Sequence, residues 1–340
     1  MSLIKYYLRV LSGMSFKKFS EVLDRTQKFS GKSKAALTAD MVHCARKFGA
    51  GYYDYLTFGF WDLTEEQRAT YVTRVVSKKL NSMLNDVNYG GIFNDKEKFN
   101  NLYKDFVKRD FLNYRTASKE EVRAFVEKHP VLFCKPAVDS SCGHGCRKAD
   151  SRDFASFDAF YEDLGKNDAW LLEEVLEQHP DNAAVYPYAI NCMRIITLLD
   201  KNNEPHVLFV TQKFGLNGRV VDNYGFGCRV DLETGKICSV GVSGDGSLGI
   251  TYPEHPMTHV KLVGREVPYF FEACELAKAA ARVTPQVRYM GWDVGITPNG
   301  PAIIEGNNYC AHDFWQLPAQ TPEKRGMLPT FMKYYPDFKR

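Results

Sequence analysis

RYMGWDVGITPNGPAIIEGNN, residues 288–308, reads as two short strands folded about a turn. A turn centred on Asn299 sets Asp293 opposite Glu305, Val294 opposite Ile304 and Ile296 opposite Ala302. Trp292, Val294, Ile296, Ala302 and Ile304 then form one apolar face that packs on a core. The other face carries Asp293, Glu305 and Asn307, with Gly291 and Gly295 beside them. Glu305 and Asn307 share that side because they are two residues apart on a pleated strand. Two carboxylates and an amide oxygen with little bulk around them suit a hard divalent cation such as Mg²⁺, which completes its octahedron with water and phosphate oxygens. An ordinary hairpin with a solvated polar face would use the same residues, so spacing alone leaves both readings open.

Upstream, VLFCKPAVDSSCGHGCRKAD places Lys135 at the end of an apolar strand, where Pro136 stops the ladder. Ser140 to Gly145 follow as a glycine-containing loop. Glycines allow close backbone approach, so successive N–H groups can converge on an anion, and a lysine adds a compact positive charge. The spacing is not that of a P-loop, because no Gly-Lys-Ser/Thr follows. Cys142, His144 and Cys146 offer three zinc ligands, but no second ligand pair follows, so structural zinc is disfavoured. AWLLEEVLEQHP is an apolar strand that turns acidic, with Glu173, Glu174 and Val175 at the change; it reads as an inter-lobe hinge or as a helix start. Arg194, inside the apolar run NCMRIITLL, needs an anionic partner, either a carboxylate or a phosphate. Lys213 and Arg229 are weaker cases of the same kind. His312 and Asp313 follow the hairpin within reach of an acceptor.

Around these motifs the chain divides by texture. Residues 1–88 read as a mostly helical region, with Thr64 and Gln67 at capping-box spacing. Residues 89–175 read as a linker plus a first α+β lobe, whose helix SKEEVRAFVEKH is N-capped by Ser118. Residues 176–340 read as a second α+β lobe of antiparallel hairpins, interrupted by the helix VPYFFEACELAKAAARV. The turns Lys201–Glu204, Glu233–Lys236 and Thr297–Gly300 separate its strands.

The 340 residues are 44% hydrophobic, enough for a large core over about two domains. A net charge of +3 with no basic stripe argues against a nucleic-acid partner. Nine irregularly spaced cysteines and no secretory or membrane-spanning run imply reduced thiols and a cytoplasmic protein. Ser2–Gly13 is basic and amphipathic, and reads as a docked helix in preference to a membrane anchor.

In order along the chain, the strand-end lysine, glycine loop, acidic hinge, mid-domain arginine and final Asp…Glu-x-Asn set resemble the ATP-grasp superfamily. GAGYYDYLTFGF, EEQRATYV, NCMRIITLL, VDNYGFG and WDVGITPNGPAIIEGNN are similar to its sugar-transfer-associated, hexapeptide-type branch. The resemblance implies ATP bound between two α+β lobes with antiparallel sheets. Lys135 and Arg194 would contact phosphates, under a loop of Ser141, Gly143, His144 and Gly145. Glu173, Glu174 and Val175 would hold adenine and ribose. Asp293, Glu305 and Asn307 would hold Mg²⁺, with Mn²⁺ as a substitute. It further implies a carboxylate–amine ligase acting on a small carboxylate, amino acid or sugar acid, or a phosphotransferase of the same fold. An oligomer is compatible with it. The helical N-terminal region departs from the usual α/β domain of the superfamily.

Overall fold

The computed structural model describes residues 15–136, 145–167, 170–223 and 225–340. Alternating strand residues build two antiparallel sheets, and the three turns named above lie between strands of the larger. The smaller holds β1 (Phe111–Asn113), β2 (Val131–Lys135), β3 (Arg147–Asp150) and β4 (Leu171–Glu174), in the order β1-β4-β2-β3. The larger holds β5 (Met193–Leu199), β6 (Pro205–Phe214), β7 (Phe226–Arg229), β8 (Gly241–Ser243), β9 (Thr251–Tyr252), β10 (Tyr289–Thr297) and β11 (Gly300–Asn307), in the order β11-β10-β5-β6-β7-β8-β9. The fold is therefore α+β.

The helices that pack on or beside these sheets include α1 (Phe16–Ser30), α2 (Lys34–Phe48), α3 (Tyr52–Thr57), α4 (Arg74–Leu84), α5 (Lys96–Leu102), α6 (Lys119–Lys128), α7 (Phe157–Lys166), α8 (Phe270–Ala281) and α9 (Leu328–Tyr334). The Ser118 capping box starts α6: Glu121 N donates to Ser118 Oγ at 3.2 Å, and Ser118 N donates back to Glu121 Oε2 at 2.7 Å. Thr64 and Gln67 form the same box ahead of the short helix Glu65–Arg68.

On the smaller sheet the pleat separates two faces. Leu132, Cys134 and Leu172 pack against Val122 and Val126 of α6 and Phe160 and Leu164 of α7. Phe133, Lys135 and Glu173 face the other way, toward the larger sheet. One face of the larger sheet, including Ile195, Val210, Trp292, Val294 and Ile303, packs on the small residues Ala273, Ala277 and Ala280 of α8. Its other face, including Ile196, Leu198, Phe209 and Tyr289, is covered by Val76, Leu80 and Leu84 of α4 and by Trp315 and Phe331.

These cores cross the divisions expected at residues 88 and 175. α4 belongs to the larger sheet, and so do Phe99, Tyr103 and Val107. Helices α1–α3 form a separate aromatic cluster with Tyr55, Phe58, Phe60 and Tyr71. The cover over the larger sheet is sewn together from both ends of the chain: Val72 N donates to Gln316 Oε1 at 2.9 Å, Gln316 Nε2 donates to Val72 O at 3.0 Å, and Leu328 N donates to Thr70 O at 2.8 Å.

The hairpin differs from its expected register in one respect. Asp293 does pair with Glu305, but Val294 pairs with Ile303, Gly295 with Ala302 and Ile296 with Pro301. A bulge at this step makes Ile304 an extra residue. The turn is consequently the tighter two-residue Pro298–Asn299, closed by Gly300 at φ 109°, where a side chain would be strained. Ile303 takes the core position expected of Ile304, and Ile304 turns to the cavity between the sheets.

Candidate active site

That cavity encloses about 910 Å³ between the two sheets. Its first wall is the strand β2–β4 pair, whose register sets Phe133 against Glu173 and Lys135 against Leu171. Glu173 is buried and fully engaged. Its Oε2 accepts from Lys135 Nζ at 2.6 Å, and its Oε1 accepts from Arg109 Nη2 at 3.0 Å and Asn100 Nδ2 at 2.8 Å. Burial alone would raise the Glu173 carboxyl, but Arg109 and Lys135 overcome it and hold the group at about 2. Glu173, expected from the sequence to hold adenine or ribose, has both carboxylate oxygens engaged by Lys135, Arg109 and Asn100. Glu174 lines the cavity too, yet its Oε2 accepts from Asp110 N at 3.0 Å. Val175 and Leu176 continue the lining as the chain leaves the smaller sheet.

The opposite wall is the hairpin. Asp293 receives a two-pronged contact from Arg194: Nη2 donates to Oδ2 at 2.8 Å and Nε to Oδ1. Arg194 thus has a carboxylate partner, one of the two partners the sequence allowed. Lys213 Nζ lies 3.7 Å from Asp293 Oδ2 and 2.9 Å from Asp222 Oδ1. Burial works against the Asp293 charge, but Arg194 and Lys213 hold its carboxyl well below the usual range. Across the ladder, burial and the neighbouring Asp293 charge push the Glu305 carboxyl up. Asn307 Nδ2 reaches Glu305 Oε1 at 3.4 Å. Two carboxyls and an amide thus converge in a buried place where one carboxyl resists ionisation beside the other. A divalent cation relieves that conflict, and the all-oxygen donor set fits Mg²⁺.

Four contributors escaped the sequence reading. Asn100 and Arg109 lie in KEKFNNLYKDFVKRDF, which reads as a helix but singles out neither residue. Lys96, the first residue of α5, lines the cavity; burial pulls its ammonium down against the attraction of Glu305. Asp222 lies in VDNYGFG, a quoted motif whose individual roles the sequence does not reveal. Of the glycine loop, Gly145 is described, at φ 75°, and a Cβ there would fall 2.8 Å from Pro136 Cγ. Ser141, Gly143 and His144 lie outside the described residues, as do Cys142 and Ser2–Gly13. Cys146 lines the cavity with its thiol pushed up by burial. Arg229 does not join the site; it donates to Gln320 O at 2.9 Å. His312 reaches Asp54 Oδ1 at 2.7 Å.

Among the described residues, Asp110, His129 and Glu174 offer ligand atoms within 4.8 Å of one another. Lys128 already pairs with that Asp110 carboxylate, so the cluster is satisfied without a metal. Among the described residues no helix is long and apolar enough to cross a membrane.

No curated protein matches the chain. Among solved structures, the ATP-grasp ligase PsnB, complexed with minimal precursor, Mg and ADP, is 14% identical with a TM-score of 0.43, over 81% of this chain and 70% of that one. D-alanine-D-alanine ligase from Coxiella burnetii is 10% identical with a TM-score of 0.42, over 77% of this chain and 63% of that one. D-alanyl-alanine synthetase A from Vibrio cholerae is 15% identical with a TM-score of 0.38, over 71% of this chain and 60% of that one. The chain spans less than two thirds of the length of these last two proteins. The family model described as sugar-transfer associated ATP-grasp matches residues 75–329, three quarters of the sequence including every described wall of the cavity, and the chain belongs to that family.

Proposed function

We propose that this chain is an ATP- and Mg²⁺-dependent ligase that activates a small carboxylate as an acyl phosphate for attack by an amine. The observation that carries the reading is one cavity with Lys135 on one wall and Asp293, Glu305 and Asn307 on the other. Lys135 would bind phosphate oxygens, with Lys96 as a second cation on that side. Phe133, Val175, Leu176, Ile190 and Ile304 supply an apolar lining suited to a flat ring, beside the polar edge of Glu174. Ser141, Gly143, His144 and Gly145 are assigned to phosphate through their backbone N–H groups, on the sequence alone. Asp293, Glu305 and Asn307 would hold Mg²⁺, which when bound neutralises charge on the transferring phosphoryl group. Arg194 and Lys213 keep Asp293 ionised and ready for that ligation. Phosphoryl transfer asks the protein for position and charge, with little covalent participation, and these residues supply both.

In the reaction a carboxylate oxygen of the acceptor attacks the γ-phosphorus and ADP leaves. The amine then attacks the acyl carbon and free phosphate departs. The family's association with sugar transfer supports an amino-acid or sugar-acid acceptor in surface-polysaccharide or conjugate synthesis. The test is a screen of acids and amines for acceptor-dependent ADP release, with products identified by mass spectrometry. ADP, free phosphate and a condensed product support the ligase. Phosphate retained on the acceptor would assign a phosphotransferase, and no acceptor-dependent ADP from any pair would count against both.

A further inference from the structure

Glu173 carries one negative charge and, among the described residues, pairs with two cations, Lys135 and Arg109. The two are held differently. Lys135 is the last residue of β2, and its flexible stem ends in the cavity. Arg109 is anchored on the larger sheet: Nη1 donates to Ile303 O at 2.7 Å and Nη2 donates to Ile304 O at 3.1 Å. Those carbonyls belong to β11, an edge strand, at its bulge. The guanidinium therefore sits on the strand edge of one lobe, beside Lys108 Nζ on Pro301 O, and its Nη2 also donates to a carboxylate of the other. Its side chain is only 2% exposed.

We propose that Arg109 is a positioning residue that keeps Lys135 available to phosphate, by compensating the buried Glu173 carboxylate when the lysine turns from it to the nucleotide. The proposal rests on the nucleotide reading above. A buried carboxylate left without a cation is costly. Were Lys135 its only partner, every phosphate oxygen would have to compete with Glu173 for the same ammonium. Arg109 and Asn100 stay on Oε1 whatever occupies the cavity, so Lys135 exchanges one oxygen for another without stranding a charge. The effect is confined to ligands that carry phosphate.

Calorimetric titration with ATP, ADP and adenosine, all with Mg²⁺, tests this. The proteins are wild type, Arg109→Met, Arg109→Lys, Glu173→Gln and the Arg109→Met/Glu173→Gln double variant. Arg109→Met is expected to lose about tenfold or more in ATP and ADP affinity, the scale of one charge-assisted hydrogen bond, with adenosine unchanged. Arg109→Lys should fall between. The double variant should regain most of the loss, because a neutral residue 173 no longer holds the lysine. A residue that merely supports the fold would weaken all three ligands and would not be rescued by a second cut. Arg109→Met binding ATP as wild type does, or an unrescued loss that includes adenosine, overturns the proposal. If Arg109→Met fails to fold, Glu173→Gln alone decides: tighter ATP binding supports it, and unchanged or weaker binding overturns it. Wild-type protein that binds no ATP refutes the nucleotide reading, and the proposal falls with it.

Discussion

Asp293 and Glu305 face each other across one rung of the ladder, and their surroundings drive them in opposite directions. Arg194 and Lys213 keep Asp293 charged, while burial and Asp293 itself keep the proton on Glu305 to higher pH. A cation bound between them needs Glu305 ionised. Mg²⁺ affinity, measured by titration calorimetry, should therefore fall as pH drops through the raised Glu305 value, with release of a proton on binding. The same shift sets a stability trend. A carboxyl raised in the folded state contributes stability below its unfolded value and loses it as pH rises through the folded one. Added Mg²⁺ should thus raise the melting temperature more on the alkaline side of that transition than on the acid side. Equal shifts on both sides would remove Glu305 from the metal site. Glu305→Gln keeps the shape and discards the charge, so turnover at saturating ATP and Mg²⁺ should drop by about a hundredfold or more. Near-normal turnover would show that the hairpin is not where the metal acts.

At the scale of elements, the hairpin illustrates what a sequence reveals and what it withholds. The alternation on either side of Thr297–Gly300 is enough to face Asp293 with Glu305. The bulge is not legible, because the Pro298–Asn299 and Asn299-centred turns use the same residues and differ by one in register. Only packing chooses Ile303 for the core. Strand β4 shows a second limit. WLLEEVL names a strand, but not which of its two glutamates holds Lys135; that is fixed by pairing with Phe133 and by Arg109, which is distant in sequence. Caps are local and so were readable, as Ser118 and Thr64 demonstrate. The joint between α3 and the chain after β11 was not. Asp54 Oδ2 accepts from Gly51 N at 2.8 Å and Arg74 N at 2.9 Å, while Oδ1 meets His312 Nε2 at 2.7 Å. Burial opposes charge on His312, but Asp54 outweighs it and holds the imidazole above its ordinary value of 6.5. That contact therefore stabilises fully below about pH 6.5 and fades as pH rises through the raised value. His312→Gln should cost about 1–3 kcal/mol at pH 6 and markedly less at pH 9, read from denaturant unfolding at both values. A pH-independent cost would mean that the ring acts by packing, without its charge.

For the whole molecule, the cavity lies between two sheets that each have an apolar core, with Phe111 of β1 packing against that of the larger. A ligand that touches both walls favours the folded chain over the unfolded one by mass action, so Mg²⁺–ATP at a hundred times its dissociation constant should add about 2.7 kcal/mol. The melting temperature should climb with nucleotide concentration, and Lys135→Ala should shift that dependence to higher ATP while leaving the ligand-free midpoint little changed. Absence of any ATP-dependent shift would argue against a nucleotide in this cavity. Strand texture in the sequence begins near residue 130 and persists to 307, where β2 to β11 lie. The sequence hides the assignment of α4 and of Phe99–Val107 to the larger sheet, because amphipathic helices name a buried face without naming the partner. That assignment has a consequence in time. Val72 and Thr70 are held by Gln316 and Leu328, more than 240 positions later in the chain. During synthesis α4 can meet Ile196, Leu198 and Phe209 early, but the bonds on Thr70 and Val72 just before it form only when almost the last tenth of this sequence has emerged. The smaller sheet, with its shorter loops, can close well before. Folding on the ribosome should accordingly proceed from the middle outward, and stalled chains ending before residue 312 should hold a protected β1–β4 unit beside a protease-sensitive segment at Thr70–Val72.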